Sequence, residues 1–295
     1  MRSTLGSCVA RTIALSTTFA LAAAAQTARG TTSAMHIKIA AVGDGPMATA
    51  MKAQQAEWRG VTTSVANRGR VDIVEGAQPP LMQQGDYMLF EGTDAIVVKP
   101  AEKSFVLLQS AQLGGRAMLG GLQITLNNAV AKLDTLGPGE TIDGRPTQHY
   151  RLSATYEMTM AAAGGGPPIT TRQTSDYWIA AIPDFPATPF NKTTAQDTRT
   201  AGPMAELAEK LAAATAGLPR GGVVVRQLTS TRITMSGMAA GTDNTTEISD
   251  IKKADVDLDR LVLPSGFTQR TLPGLPPVDS TSSAAVEKWR TRPKP

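Results

Sequence analysis

The stretch Asp143-Gly144-Arg145-Pro146-Thr147-Gln148-His149-Tyr150-Arg151-Leu152-Ser153-Ala154-Thr155-Tyr156-Glu157-Met158-Thr159-Met160 carries the clearest fold signal in the chain. Asp-Gly is a turn dipeptide of the kind that opens a hairpin, and a long strand runs out of it. Tyr150, Leu152, Ala154, Tyr156, Met158 and Met160 fall on one face. Thr147, His149, Arg151, Ser153, Thr155, Glu157 and Thr159 fall on the other. Successive side chains in a strand point to opposite sides, so this alternation predicts a sheet with one buried and one wet face, which is antiparallel.

Working outward, Gly164-Gly165-Gly166-Pro167-Pro168 ends that strand, and Ile169–Ala181 returns as its partner with Tyr177 and Ile179 on one side. Upstream lie three short apolar runs, Tyr87–Phe90, Ala95–Val98 and Ser104–Leu108, separated by turn residues. That spacing marks a meandering antiparallel sheet. Before them, Met35, Ile37 and Ile39 alternate with His36, Lys38 and Ala40, and Val71 and Ile73 share a side after a turn at Asn67-Arg68-Gly69. Residues 47–58 favour helix by composition, but the surrounding alternation favours a strand running through Trp58 to Val65. Leu122–Leu126 and Val130–Leu136 read as further strands. Two more are expected near 223–236 and 244–256, joined by a turn at Gly241. One helix is expected, with Pro203 in its first turn, Met204, Leu207, Ala208 and Leu211 as its apolar stripe, and Gly217 as its cap.

The first 25 residues have the order of a secretory signal. Arg2 and Arg11 are basic, an apolar stretch runs from Thr12 to Ala25, and Ala23-Ala24-Ala25 offers small residues for cleavage. The stretch is too short to span a bilayer, which takes about 20 apolar residues, and no later segment reaches that length unbroken. Cys8, the only cysteine, lies before the apolar stretch, so it is not placed for lipid attachment at the cleavage point. Cleavage would leave a chain without disulfide or thiolate metal site. It would also lower the net charge from +4 to +2 by removing two arginines. The expected layout is a signal over 1–25, a loose N-terminus over 26–33, a β domain over 34–270 and a disordered Pro/Ser-rich tail over 271–295. The expected location is periplasmic or secreted, in a bacterium.

Chemistry is sparse. His36 and His149 are the only histidines, each on the polar side of a predicted strand, and no hydrolase, metalloprotease or phosphate-loop motif occurs. Asp255, Asp257 and Asp259 begin like a calcium loop, but Arg260 stands where its sixth-position glycine belongs and Gly266 where its twelfth-position glutamate belongs. They read as the acidic edge of a strand. Asn191-Lys192-Thr193 and Asn244-Thr245-Thr246 match the glycosylation pattern. Basic residues are scattered, which argues against nucleic acid and against a charged membrane surface. No cofactor, metal or catalytic group is expected. What remains is the apolar face itself: Met88, Phe90, Tyr150, Leu152, Tyr156, Met158 and Met160 form either ordinary core or the wall of a ligand cavity, and methionine-rich walls adapt to varied shapes.

Strand order resembles that of the periplasmic lipoprotein carriers and outer-membrane lipoprotein receptors, the LolA/LolB-like half-barrels, and of uncharacterised exported bacterial families of that shape. The residues are Gly69-Arg70-Val71-Asp72-Ile73, Gly85-Asp86-Tyr87-Met88-Leu89-Phe90, Gly139–Tyr150, Asp176-Tyr177-Trp178-Ile179 and Leu263-Pro264-Ser265-Gly266-Phe267. The resemblance implies a curved antiparallel sheet wrapped around helices, with acyl chains held in its hollow. It departs from that family in having few aromatic residues and one convincing helix. The expected function is non-enzymatic carriage of an apolar lipid or acyl ligand by a monomer. The alternative is an interaction or sensor module that holds another envelope protein.

Overall fold

The computed structural model describes residues 26–108, 123–161, 169–185, 205–271 and 282–292, apart from the single positions 54, 80, 93, 184 and 220. The segment expected to be a signal, the Gly/Pro turn at 164–168, Pro203, Met204 and Asn191 lie outside the described residues. Among the described residues thirteen strands form one sheet. In chain order they are β1 Thr27–Gly43, β2 Ala56–Val65, β3 Arg68–Gln78, β4 Met82–Gln83, β5 Tyr87–Glu91, β6 Asp94–Lys99 and β7 Ser104–Leu108, then β8 Gln123–Pro138, β9 Gln148–Ala161, β10 Ile169–Ala181, β11 Gly222–Met235, β12 Met238–Asp257 and β13 Thr268–Arg270. Among the described residues three α-helices accompany them: α1 Gly45–Lys52, α2 Ala205–Thr215 and α3 Ser282–Arg290.

Across the sheet the order is β13-β7-β6-β5-β3-β2-β1-β12-β11-β10-β9-β8, with β4 attached to β3. The fold is mostly β, as the alternation predicts, and its sheet is curved and unclosed, as the resemblance implies. All pairings are antiparallel except the short β13–β7 contact, which is parallel. Two meanders, β2 to β7 and β8 to β12, are joined by β1, which pairs β2 on one side and β12 on the other. The Asp143-Gly144 signal lies at the tip of the β8–β9 connection. Both residues have positive φ, 50° and 71°, the paired left-handed conformation of a type I′ turn, and Ile142 and Arg145 bridge beneath them.

Several expectations are corrected. Residues 26–33 are not loose: β1 starts at Thr27, paired with Asp257, and Arg29 bonds Asp255 at 3.2 Å. Residues 45–52 are helix, because Gly43 at φ 106° ends β1 and Pro46 presets the first turn, so β2 begins only at Ala56. The β11–β12 turn is Ser236-Gly237, both at positive φ, and Gly241 lies inside β12. There its missing Cβ leaves room for the Thr231 carbonyl, which would stand 2.0 Å away. Within the tail expected to be disordered, residues 282–290 form α3. Its Trp289 and Val286 are buried on the sheet against Tyr87, Leu89, Ile96, Val98, Phe105, Leu107 and Leu263. Burying an indole and an isopropyl group supplies the stabilisation that composition alone does not reveal. The Arg68 guanidinium, itself 4% exposed, donates to the Thr291 carbonyl at 2.9 Å, and Leu263 N–H donates to Trp289 O at 2.7 Å. A cation at a helix C-terminus also complements its dipole.

Candidate functional site

Register fixes which side chains share a face. Met88 opposes Val71 and Val97, and Phe90 opposes Gly69 and Ala95. Ile37 opposes Trp58 on one side and Thr246 on the other, Thr246 opposes Gln227, Gln227 opposes Tyr177, and Tyr177 opposes Tyr150. Directly opposed residues lie on one side of a sheet. Met88, Phe90, Tyr150, Leu152, Tyr156 and Met158 therefore stand on a single continuous surface, here the Tyr150 face, while the side chain of Met160, which pairs with Ile124, lies outside the described ones.

That face is not uniform. Toward β5, Met88 and Phe90 sit in a filled cluster with Met35, Ile37, Trp58, Val71, Ile73 and Val97. Phe90 lies so close on Gly69 that a Cβ there would meet its ring at 2.3 Å. Toward β8, Tyr150 and Leu152 pack with Tyr177, Ile179, Val224 and Leu218. Tyr156 and Met158 pack with Leu126, Ala129 and the helix residues Leu207 and Leu211. Between these patches the face is polar: Gln173, Ser175, Gln227, Thr229 and Thr246 line it. Ser175 and Thr229 hydroxyls bond at 3.0 Å, and Gln227 donates to Thr229 at 2.9 Å. Asn244 stands there too, with Oδ1 buried and unpartnered among the described residues, so its glycosylation pattern is inside a strand rather than in a loop. Sequence reasoning missed this polar middle. Its signal was the threonine-rich alternation of β11 and β12.

Helix α2 covers the β8–β9 end. Leu207, Ala208 and Thr215 are buried and Leu211 and Ala214 half-buried, while Glu206, Glu209 and Lys210 are exposed, which is the one-sided stripe of an amphipathic helix. Met88, Phe90 and Leu152 are thus core. Tyr156 and Met158 are half-buried under a single helix, and burial there raises the Tyr156 phenol above its ordinary pKa, against a hydrogen bond with Thr171 that lowers it.

The opposite face carries the histidines in one cross-strand row: His149, Trp178, Arg226, Glu247, His36, Arg59 and Glu75 oppose one another in turn. His149 stacks on Trp178 at 4.4 Å between centroids and bonds Asp176 at 2.9 Å. Asp176 also receives Arg151 at 2.9 and 3.2 Å, which raises the Arg151 pKa. Arg226 bonds Glu247 at 2.6 Å and Glu140. His36 bonds Glu57 at 3.0 Å, and this bond together with Lys38 lowers the Glu57 carboxyl. Four inter-strand steps of about 4.8 Å keep the two imidazoles about 19 Å apart. Among the described residues no three His, Cys, Asp or Glu side chains are grouped to hold a metal. Asp255, Asp257 and Asp259 are held separately, by Arg29, the Asp259 N–H and Arg292. No described helix is long and apolar enough to cross a membrane.

No protein-family description matches the chain, and no curated protein does. Two solved structures are similar in outline. One is an uncharacterized conserved protein of Thermus thermophilus, at 7% identity and a TM-score of 0.32, covering 82% of this chain and 90% of that one. The other is the MucA/MucB complex of Pseudomonas aeruginosa, at 8% identity and a TM-score of 0.21, covering 75% of this chain and 88% of that one.

Proposed function

We propose that the chain is an exported, non-enzymatic binding or carrier protein for an apolar lipid or acyl ligand, held on the Tyr150 face between α2 and strands β8 and β9. The observation that carries this reading is the unequal filling of that face. Met88, Phe90 and Leu152 are 6%, 0% and 2% exposed, whereas Tyr156 and Met158 are closed off by one short helix and remain half-buried. An 11-residue helix is marginal alone, so its position depends on the few apolar contacts that an acyl chain would replace like for like. Methionine and tyrosine suit such a wall, since thioether and phenol adapt to a sliding chain.

Native mass spectrometry of the full chain purified from the envelope tests this. A bound acyl species, and uptake of a fluorescent fatty acid that falls at least about tenfold in Met158→Asp, are expected. Protein that is repeatedly empty and takes up no acyl fluorophore overturns it.

A further inference from the structure

The sheet is unclosed, and its two edges differ. At one end β13 is three residues long and all three are exposed. At the other, β8 runs for 16 residues and, among the described residues, pairs only with β9. Its outer row of N–H and C=O groups is a template for another strand. Two irregularities, at Asn127/Val130 and Thr135/Gly137, with Pro138 beyond, confine regular pairing to 130–135. Around that run stand Val130 at 62% and Leu136 at 46% exposure, and within it Lys132 bonds Asp134 at 2.6 Å.

From this geometry we propose that β8 is a self-association edge, and that its partner is β8 of a second copy, antiparallel and centred on Leu133. In that register Lys132 of each copy faces Asp134 of the other, Ala131 faces Thr135, and Val130 comes opposite Leu136. The opposite-charge pair and the apolar pair are then each made twice, as a two-fold axis requires, and opposed pairs of these kinds stabilise a ladder. The sequence is self-complementary about one residue, which an edge selected for a different partner has no reason to be. Because β13 is too short to extend the ladder, the contact closes as a dimer instead of propagating into a filament. The short regular run makes it reversible. This reading stands apart from the proposed ligand, since Lys132, Asp134 and Val130 point away from the Tyr150 face.

Sedimentation equilibrium of the full chain between micromolar and millimolar concentration is the test. A monomer–dimer equilibrium is expected, weakened at least about tenfold by Lys132→Asp, which sets like charges opposite each other twice. The double variant Lys132→Asp/Asp134→Lys should restore dimer, because the swap rebuilds the same pairs. A Val130→Cys/Leu136→Cys variant in a Cys8→Ser background should give a dimer-sized oxidised species. The two positions are about 20 Å apart within one strand and cannot bridge intramolecularly. A monomer at every concentration overturns the proposal, and so does a dimer indifferent to the charge reversal or one not restored by the swap. Unchanged circular dichroism and melting in each variant separates loss of pairing from loss of fold.

Discussion

Strands β5 to β7 and strands β9 to β11 belong to one sheet but solve burial differently. In the first group nearly every side chain is buried on both faces: Leu89, Phe90, Ile96, Val97 and Val98 are all 0% exposed. The Tyr150 face of this half is filled by residues from β1, β2 and β3, and the other face is covered by α3. In the second group one face lies under α2 and the other is wet, laced by Arg151–Asp176, Arg226–Glu247 and Arg232–Asp243 pairs. A strand buried on both sides must be apolar at every position, while one buried on one side alternates. The first half is therefore the stability anchor. The second is the half covered on that side by one short helix.

The largest effects should come from the anchor. Phe90→Ala removes a fully buried ring and should cost about 3–5 kcal/mol, measured by urea unfolding followed by circular dichroism. Trp289→Ala should cost a similar amount, about 3–5 kcal/mol, although it lies in the last turn of a helix close to the end of the chain. A Trp289→Ala loss below about 1 kcal/mol would mean that α3 adds little and that the two halves are alike.

How far the sequence reveals this contrast varies by element. The runs Tyr87–Phe90 and Ala95–Val98 are uninterrupted apolar, and the stretch from Tyr150 to Met160 alternates, so the difference in burial was legible strand by strand. What covers each face was not. Helix α2 announces itself through Leu207, Ala208 and Leu211 on one side. Helix α3 offers only Val286 and Trp289, three apart, inside a Pro/Ser-rich segment, and its stability comes from contacts with residues far earlier in the chain, Tyr87 to Leu107 among them. The continuity of the Tyr150 face from Met88 to Met158 also depends on β1 pairing β12, a contact across most of the chain that local periodicity cannot announce. Helix propensity within 47–58 is legible in the sequence but weaker there than the surrounding alternation, whereas Pro46 at the first turn decides for helix over Gly45–Lys52 in the fold.

A middle-sized effect sharpens the comparison. Met158→Ala removes a half-buried side chain under α2, where the helix can settle into the space. It should cost about 1–2 kcal/mol, below the range for fully buried methionine. Hydrogen exchange in α2 should rise in this variant while β5 to β7 stay protected, since local opening follows local packing. Equal loosening of both regions would show that the sheet opens as one unit and that α2 is no separate cover.

The smallest effect belongs to the wet face and depends on pH. Asp243 has its carboxyl held below the ordinary carboxylate range, chiefly by the Arg232 guanidinium at 2.7 and 3.2 Å, while partial burial opposes the shift. A carboxylate whose pKa is lower folded than unfolded binds fewer protons in the folded state. Its contribution is therefore present above the unfolded value and disappears as pH falls through the folded one. The pair is about half exposed, so solvent screens it and the contribution should be about 0.2–1 kcal/mol. Asp243→Asn should lower stability by that amount at pH 7, and the loss should shrink as pH falls through the lowered folded value. The gap should shrink with added salt, because exposed charges are screened within about 10 Å at 0.1 M ionic strength. Phe90→Ala should show neither dependence. If its loss also shrank at pH 2 while the protein stayed folded, the division between an apolar anchor and a charge-paired wet face would fail.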